Sequence, residues 1–408
     1  MPSTSATAAK ASLTHAKIPQ NDCHGHDTYL KGCFFMSTTP APARRTLTPE
    51  QQRRSRDLHR QAIIIDGHCD ILIPIADERM RLGDRVDVPP EDGWTPPMGT
   101  PVDPLGGLYN FSPHTAYFGT QGFYDIPRFL EGGLTSQAMS IYLRDQELDR
   151  ALQRALDMTY WLYREAEDNP EFSVVTTTDE IQQVKADGGT SGFLTFEGCE
   201  PLGYDLKYLD LFARLGLRMA SLTHSRRNAF GDGGGQIGDP VTGGLTDLGR
   251  RAVRRMNELG IVVDLAHLNR RGAWDVVGLS DAPIVLSHAR TSRLTAPTSH
   301  ASDGDLRSER ELWEAIARSG GLVGIIGYSQ ASLEEFVDNI METIAAIGPD
   351  HVGLGTDFYG YERSPIGFQG MHELPHVTDE LVLRGLDDET ILKVLGGNLM
   401  RIFDQVWQ

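Results

Sequence analysis

Cysteine is scarce in this chain of 408 residues: Cys23, Cys33, Cys69 and Cys199 are its four thiols, with no Cys-x-x-Cys pair and no framework spacing. That excludes a disulfide scaffold and a thiolate metal ribbon, and it points to a reducing compartment. Basic residues are also few, 38 against 56 acidic ones, leaving a formal net charge of -18. Nucleic acids and anionic membranes call for a basic face, so neither is expected as a partner. No apolar run approaches the roughly 18 to 20 residues needed to span a bilayer. The first residues lack the basic start and continuous apolar stretch of a secretion signal, so the expectation is a cytoplasmic protein. The Gly-rich run at 231–235 lacks the Lys-Ser/Thr of a phosphate loop and opens no amphipathic helix, and it reads as a flexible rim loop.

Against those absences stands an ordinary globular composition, 40% hydrophobic and 23% charged, with 43 glycines that suit many tight strand-to-helix turns. Residues 1–45 are rich in Ser, Thr, Ala and Pro with no period, which predicts a disordered N-terminal tail. The ordered domain, 46–408, is expected to open with a helix over 48–59, capped by Thr48 and carrying Pro49 in its first turn.

Within that domain, apolar runs repeatedly end on a metal ligand or base. Ile64-Ile65-Asp66-Gly67 delivers His68 and Asp70, which two residues apart on an extended segment face the same way and can grip one ion together. Further runs end at Glu197, His224, His267, His288 and Asp357. Strands are expected near 62–70, 135–143, 191–197, 218–224, 262–267, 284–288, 321–328 and 351–357, with helical patterns between most of them. Eight β segments alternating with helices predict a (β/α)8 barrel, the TIM-type fold. In such a barrel the C-terminal ends of the parallel strands converge on one rim, so these scattered residues are read as one site. A doubly wound sheet would show fewer strands and a Gly-rich nucleotide turn.

A long connection after the first strand, 81–124, is full of Pro, Gly and aromatics and is expected to rise over the rim as a lid or pocket wall.

The motifs that carry these residues resemble, in order, those of the membrane (renal) dipeptidase family of zinc peptidases. They are Asp66-Gly67-His68-Cys69-Asp70, Phe129-Leu130-Glu131-Gly132-Gly133, Phe196-Glu197-Gly198, Leu222-Thr223-His224-Ser225, Gly244-Leu245-Thr246, Asp264-Leu265-Ala266-His267, Leu286-Ser287-His288 and Gly355-Thr356-Asp357-Phe358, with Gly396-Gly397-Asn398-Leu399-Met400-Arg401 near the C-terminus. The resemblance spans about 60–405. It implies a binuclear zinc barrel of the amidohydrolase kind that cleaves the amide bond of dipeptides with a metal-bridging hydroxide. His68 and Asp70 would hold one Zn²⁺, His267 and His288 the second, and Glu197 would bridge both. Asp357 would handle the proton of the attacking water, and His224 would contact the substrate near the developing oxyanion. Mn²⁺, Co²⁺ or Fe²⁺ also suit such a mixed N/O site. Homodimers are common in the family.

Two departures stand beside the match. Where the family places an Arg for the substrate's free carboxylate, an ungapped count from His288 reaches Ser299. A carboxylate prefers a bidentate guanidinium, so Arg290, Arg293, Arg307 or His300 are replacement candidates, and Tyr328 is a further candidate substrate contact. The family's Asp-Phe-Asp-Gly also reads Asp357-Phe358-Tyr359-Gly360 here. Three functions are therefore open: a dipeptidase, a related metallohydrolase for a non-dipeptide amide, modified amino-acid conjugate or lactone, and a barrel that binds without catalysis.

Overall fold

Short apolar segments that end on polar residues pair in parallel and close on themselves. The computed structural model describes residues 46–85, 124–234, 243–295, 307–328, 330–360 and 364–407, and 47–408 form one compact unit. The predicted tail, 1–45, and most of the predicted lid, 86–123, lie outside the described residues.

The strands are β1 (Ile64–Asp66), β2 (Leu134–Tyr142), β3 (Phe172–Val174), β4 (Thr190–Glu197), β5 (Leu217–Ser221), β6 (Val262–Asp264), β7 (Ile284–Ala289), β8 (Leu322–Ile325) and β9 (Val352–Leu354). Their order is β2-β1-β9-β8-β7-β6-β5-β4, and β2 pairs with β4 to close an eight-stranded parallel barrel. Helices connect the strands, as anticipated. The extra strand, β3, pairs with the start of β4. Three residues long, with Phe172 alone fully buried, it has too little pattern to be read from sequence.

Six of the barrel strands, β1, β2, β5, β6, β8 and β9, end earlier than expected, whereas β4 ends at Glu197 as expected and β7 runs one residue further, to Ala289. His68, Asp70, His224, His267 and Asp357 all lie beyond their strands, in the rim, while Glu197 closes β4 and His288 sits inside β7. The pairing of β1 with β9 nevertheless continues outward: Cys69 bridges to Phe358, Asp357 N–H donates to His68 O at 3.1 Å, and Asp70 N–H donates to Phe358 O at 3.1 Å. That extension keeps His68 and Asp70 on one side and turns Cys69 inward, where its sulfur lies 4.0 Å from Met139 Sδ.

The opposite end of the barrel is shut by apolar packing. Ile65, Ala138, Phe193, Met219, Val262, Val285 and Leu322, one from each of seven barrel strands, cluster with Leu399, Ile402, Phe403 and Trp407 of the C-terminal segment. The Phe193 ring lies 5.2 Å from Phe403 and 5.3 Å from Trp407. The glycines ahead of this helix have a steric reason: a Cβ at Gly396 would stand 2.2 Å from Ile63 O and 2.8 Å from Ile65 N. The chain must therefore pass against β1 without a side chain before the helix Asn398–Val406 can plug the floor.

The helix over 48–59 forms as Pro49–Gln61, with Thr48 and Gln51 in a reciprocal capping box. Thr246 of the Gly-Leu-Thr motif caps the helix Asp247–Leu259. The described part of the Gly-rich run, 231–234, is bridged to neighbouring segments. Gly231 and Gly233 bridge to Leu245 and Leu268, and buried Asp232 accepts from Arg227 and from Gly243 N–H.

Candidate active site

All seven residues expected at the rim meet around one carboxylate. Glu197 Oε1 lies 2.7 Å from His267 Nε2, 3.5 Å from His68 Nε2, 3.8 Å from His288 Nε2 and 3.9 Å from His224 Nε2. His68 Nε2 in turn lies 3.9 Å from Asp70 Oδ2 and 3.7 Å from Asp357 Oδ1. Three overlapping ligand groups result: His68, Glu197 and His288; Glu197, His224 and His267; and His68, Asp70 and Asp357. His224 thus stands close enough to be counted with the ligands as well as with substrate contacts.

The residues fit divalent metal. Most of this cluster is buried, and His68 Nε2 and Asp70 Oδ1 have no hydrogen-bond partner among the described residues. Buried polar atoms left unpaired are costly unless something absent from the protein satisfies them. Imidazole with carboxylate is the donor set of Zn²⁺ and its neighbours.

Electrostatics agree. In the metal-free protein, burial first and then neighbouring carboxylates push Asp70 and Asp357 well above the usual carboxylate range. Burial followed by Asp264 does the same to Glu197. Burial holds His68 neutral, lowering it to about 3, and pushes His224 well down. A site that disfavours both bare carboxylates and protonated imidazoles presents neutral nitrogen donors and acids whose charge a cation can restore.

Two site residues occupy strained backbone: His267 and Asp357 both have φ of 60°, the left-handed region that non-glycine residues seldom adopt. Gly360 is needed beside them, since a Cβ there would lie 2.1 Å from Asp357 Oδ1 and 2.8 Å from Asp70 Oδ2. Tyr359, where the family pattern has Asp, is buried with its ring 5.9 Å from that of Tyr124.

The substrate-contact candidates separate. Arg290 stands two residues beyond His288 with its guanidinium 5.2 Å from the Tyr328 ring. Tyr328 lies three residues past β8, the same offset that places His224, His267 and Asp357 past their own strands. Arg307 instead covers the Trp274 ring at 3.9 Å. Ser299, His300 and the Arg293 side chain lie outside the described residues.

Sequence reasoning passed over Tyr142, the residue opposite Glu197 in the β2–β4 register, whose ring packs 4.6 Å from His224. Its signal was the end of an apolar run that closed on an aromatic instead of a ligand. Arg226 holds this wall, bonding Glu200 Oε1 at 3.0 Å and Asp145 Oδ1 at 2.7 Å.

A family model described as membrane dipeptidase (peptidase family M19) matches residues 52–408. The chain belongs to the membrane dipeptidase family. Among the proteins similar to it, "Dipeptidase aclJ" of Aspergillus oryzae is 28% identical over 319 residues, covering 73% of this chain and 72% of that one. A solved metallopeptidase described as dipeptidase AC of M19 aligns with a TM-score of 0.67 and 28% identity, over 85% of this chain and 99% of that one. A metallopeptidase from Rhodobacter sphaeroides, liganded with a phosphinate mimic of the dipeptide L-Ala-D-Ala, aligns with a TM-score of 0.67 and 27% identity over the same shares. The fold and the metallopeptidase class of this membrane dipeptidase relative are those anticipated from its motifs.

Proposed function

We propose that this chain is a binuclear zinc dipeptidase acting on short peptides with a free C-terminal carboxylate. The observation that carries it is the place of Glu197, whose Oε1 lies 3.5 Å from His68 Nε2 on one side and 2.7 and 3.8 Å from His267 and His288 Nε2 on the other, so that one carboxylate faces the imidazoles of both proposed ion positions. His68 and Asp70 would hold one Zn²⁺, His267 and His288 the other, with Glu197 between. The chemistry such ions would supply is polarisation of the scissile carbonyl and activation of a water at neutral pH.

Asp357, whose Oδ1 lies 3.7 Å from His68 Nε2 at the rim, accepts the water's proton and returns it to the leaving amine. His224, held neutral and braced by Tyr142, presents a ring to the oxygen on which charge develops. Arg290, over Tyr328, supplies the guanidinium for the substrate carboxylate that Ser299 cannot. The R. sphaeroides neighbour's ligand makes L-Ala-D-Ala and L-Ala-L-Ala the first substrates to assay.

The test is Glu197→Gln beside His288→Ala. Both are expected to lose metal and activity together, and full activity at unchanged metal content in either would overturn the binuclear reading.

A further inference from the structure

β1 and β6 each have three residues, and each ends on a buried aspartate that no ligand group includes: Asp66 and Asp264. Each precedes a proposed ligand on its own chain segment, His68 and His267. Each also takes hold of the residue just before a site residue on the neighbouring strand. Asp66 accepts from Thr356 N at 2.7 Å and from Thr356 Oγ1 at 2.6 Å, and Thr356 precedes Asp357. Asp264 Oδ1 accepts from Ser287 N at 2.9 Å, and Ser287 precedes His288.

Asp264 reaches a ligand through Ser287, whose backbone N–H it holds and whose hydroxyl lies 2.9 Å from His288 Nδ1. An Nδ1 engaged there leaves the Nε2 of His288 facing Glu197 and the cluster. Asp66 works through Thr356, gripping both its backbone N–H and its hydroxyl. Its second oxygen also accepts from Gln137 Nε2 at 3.0 Å and from the Tyr124 hydroxyl at 3.4 Å. This grip fixes the turn in which Asp357 adopts its left-handed backbone.

We infer that Asp66 and Asp264 are paired positioning residues, each stapling two ligand-bearing strand ends together, one for each half of the metal site. Asp66 sets His68, Asp70 and Asp357; Asp264 sets His267 and His288. The inference rests on the binuclear reading above, and it assigns each half an independent support.

Metal-depleted protein titrated with Co²⁺, followed by its visible absorption and by metal content after gel filtration, tests this without reference to turnover. Wild type is expected to take two ions. Asp264→Ala and Ser287→Ala should weaken one ion by about 10- to 100-fold, the range typical for removing a support behind a ligand, while the other keeps its affinity. Asp264→Asn should restore most of the loss, because one amide oxygen can still accept both N–H groups that now reach Oδ1, from Ala266 and Ser287. Asp66→Asn should not, because an amide NH₂ would face the Gln137 NH₂. Thr356→Val gives the Asp66 arm a milder variant that keeps its shape. Equal weakening of both ions in step with falling Tm, or two full-affinity ions in Asp264→Ala and Thr356→Val, overturns the inference. A wild type that takes fewer than two ions overturns the binuclear reading itself.

Discussion

His267 Nε2 and His288 Nε2 face one another at 2.9 Å, both within reach of Glu197. Two imidazole nitrogens at that distance share either a proton or a cation. With carboxylates on the far side of the cluster, the arrangement is built for the cation.

Metal loading should release protons. In the metal-free protein the acids Asp70, Glu197 and Asp357 are pushed up by burial, so they retain protons above the usual carboxylate range, while His68 and His224 are already neutral. A cation that restores the carboxylate charge displaces those protons. Calorimetry of Zn²⁺ binding at pH 7 in two buffers of different ionisation enthalpy should give a net release, and identical heats would contradict it.

Arg290→Ala should raise KM for a free dipeptide by about 10- to 100-fold, the equivalent of roughly 1.4 to 2.7 kcal/mol for a charge-assisted pair, with little change in kcat. Hydrolysis of the corresponding C-terminal amide should be unaffected. Equal losses on acid and amide would place Arg290 outside the carboxylate site.

Gly360→Ala should reduce activity at least tenfold with the fold retained. The new methyl meets Asp357 Oδ1 and Asp70 Oδ2, so the acids must move apart, and misplacement of about 1 Å at reacting groups costs on the order of a hundredfold. Unchanged kcat would show that the acids have room to shift.

Phe403→Ala should cost about 3 to 5 kcal/mol of stability, because it opens a cavity where the C-terminal helix fills the barrel floor. Chemical denaturation checks the magnitude, and kcat of the remaining folded protein should be close to wild type.

His59 adds a pH dependence to stability. Its ring lies 2.8 Å from Thr378 Oγ1 and 2.9 Å from Gly132 O, and burial lowers its pKa below 6.5. The unfolded chain therefore binds the proton more readily. Stability from this residue is complete above about pH 6.5 and declines as pH falls towards the lowered value. Between pH 7.5 and 5.5, the Tm of His59→Gln should fall less than that of wild type.

Much of the barrel was legible because its strands are buried on both faces, and six of its eight barrel strands lead to a candidate ligand or base, so hydrophobic runs and chemistry marked the same places. Glu197 and His288 could be located almost to the residue. What sequence could not show was where pairing stops: β1, β6 and β9 have three residues each, and their ligands project from the rim because His267 and Asp357 turn through left-handed backbone. Nor could it show that Asp66 and Asp264 face neighbouring strands rather than metal, since an acid two or three residues ahead of a histidine reads equally as a ligand. Tyr142 was hidden for the opposite reason, a ring at a strand end looking like core.

The most direct measurement is hydrolysis by zinc-loaded protein of L-Ala-D-Ala and L-Ala-L-Ala, each beside its C-terminal amide, before and after chelation. The account predicts cleavage of at least one free dipeptide, its amide cleaved at least tenfold more slowly, and activity lost with the metal and regained on adding Zn²⁺. Amides cleaved as fast as the acids, no dipeptide cleaved at all, or turnover that survives complete metal removal would contradict it.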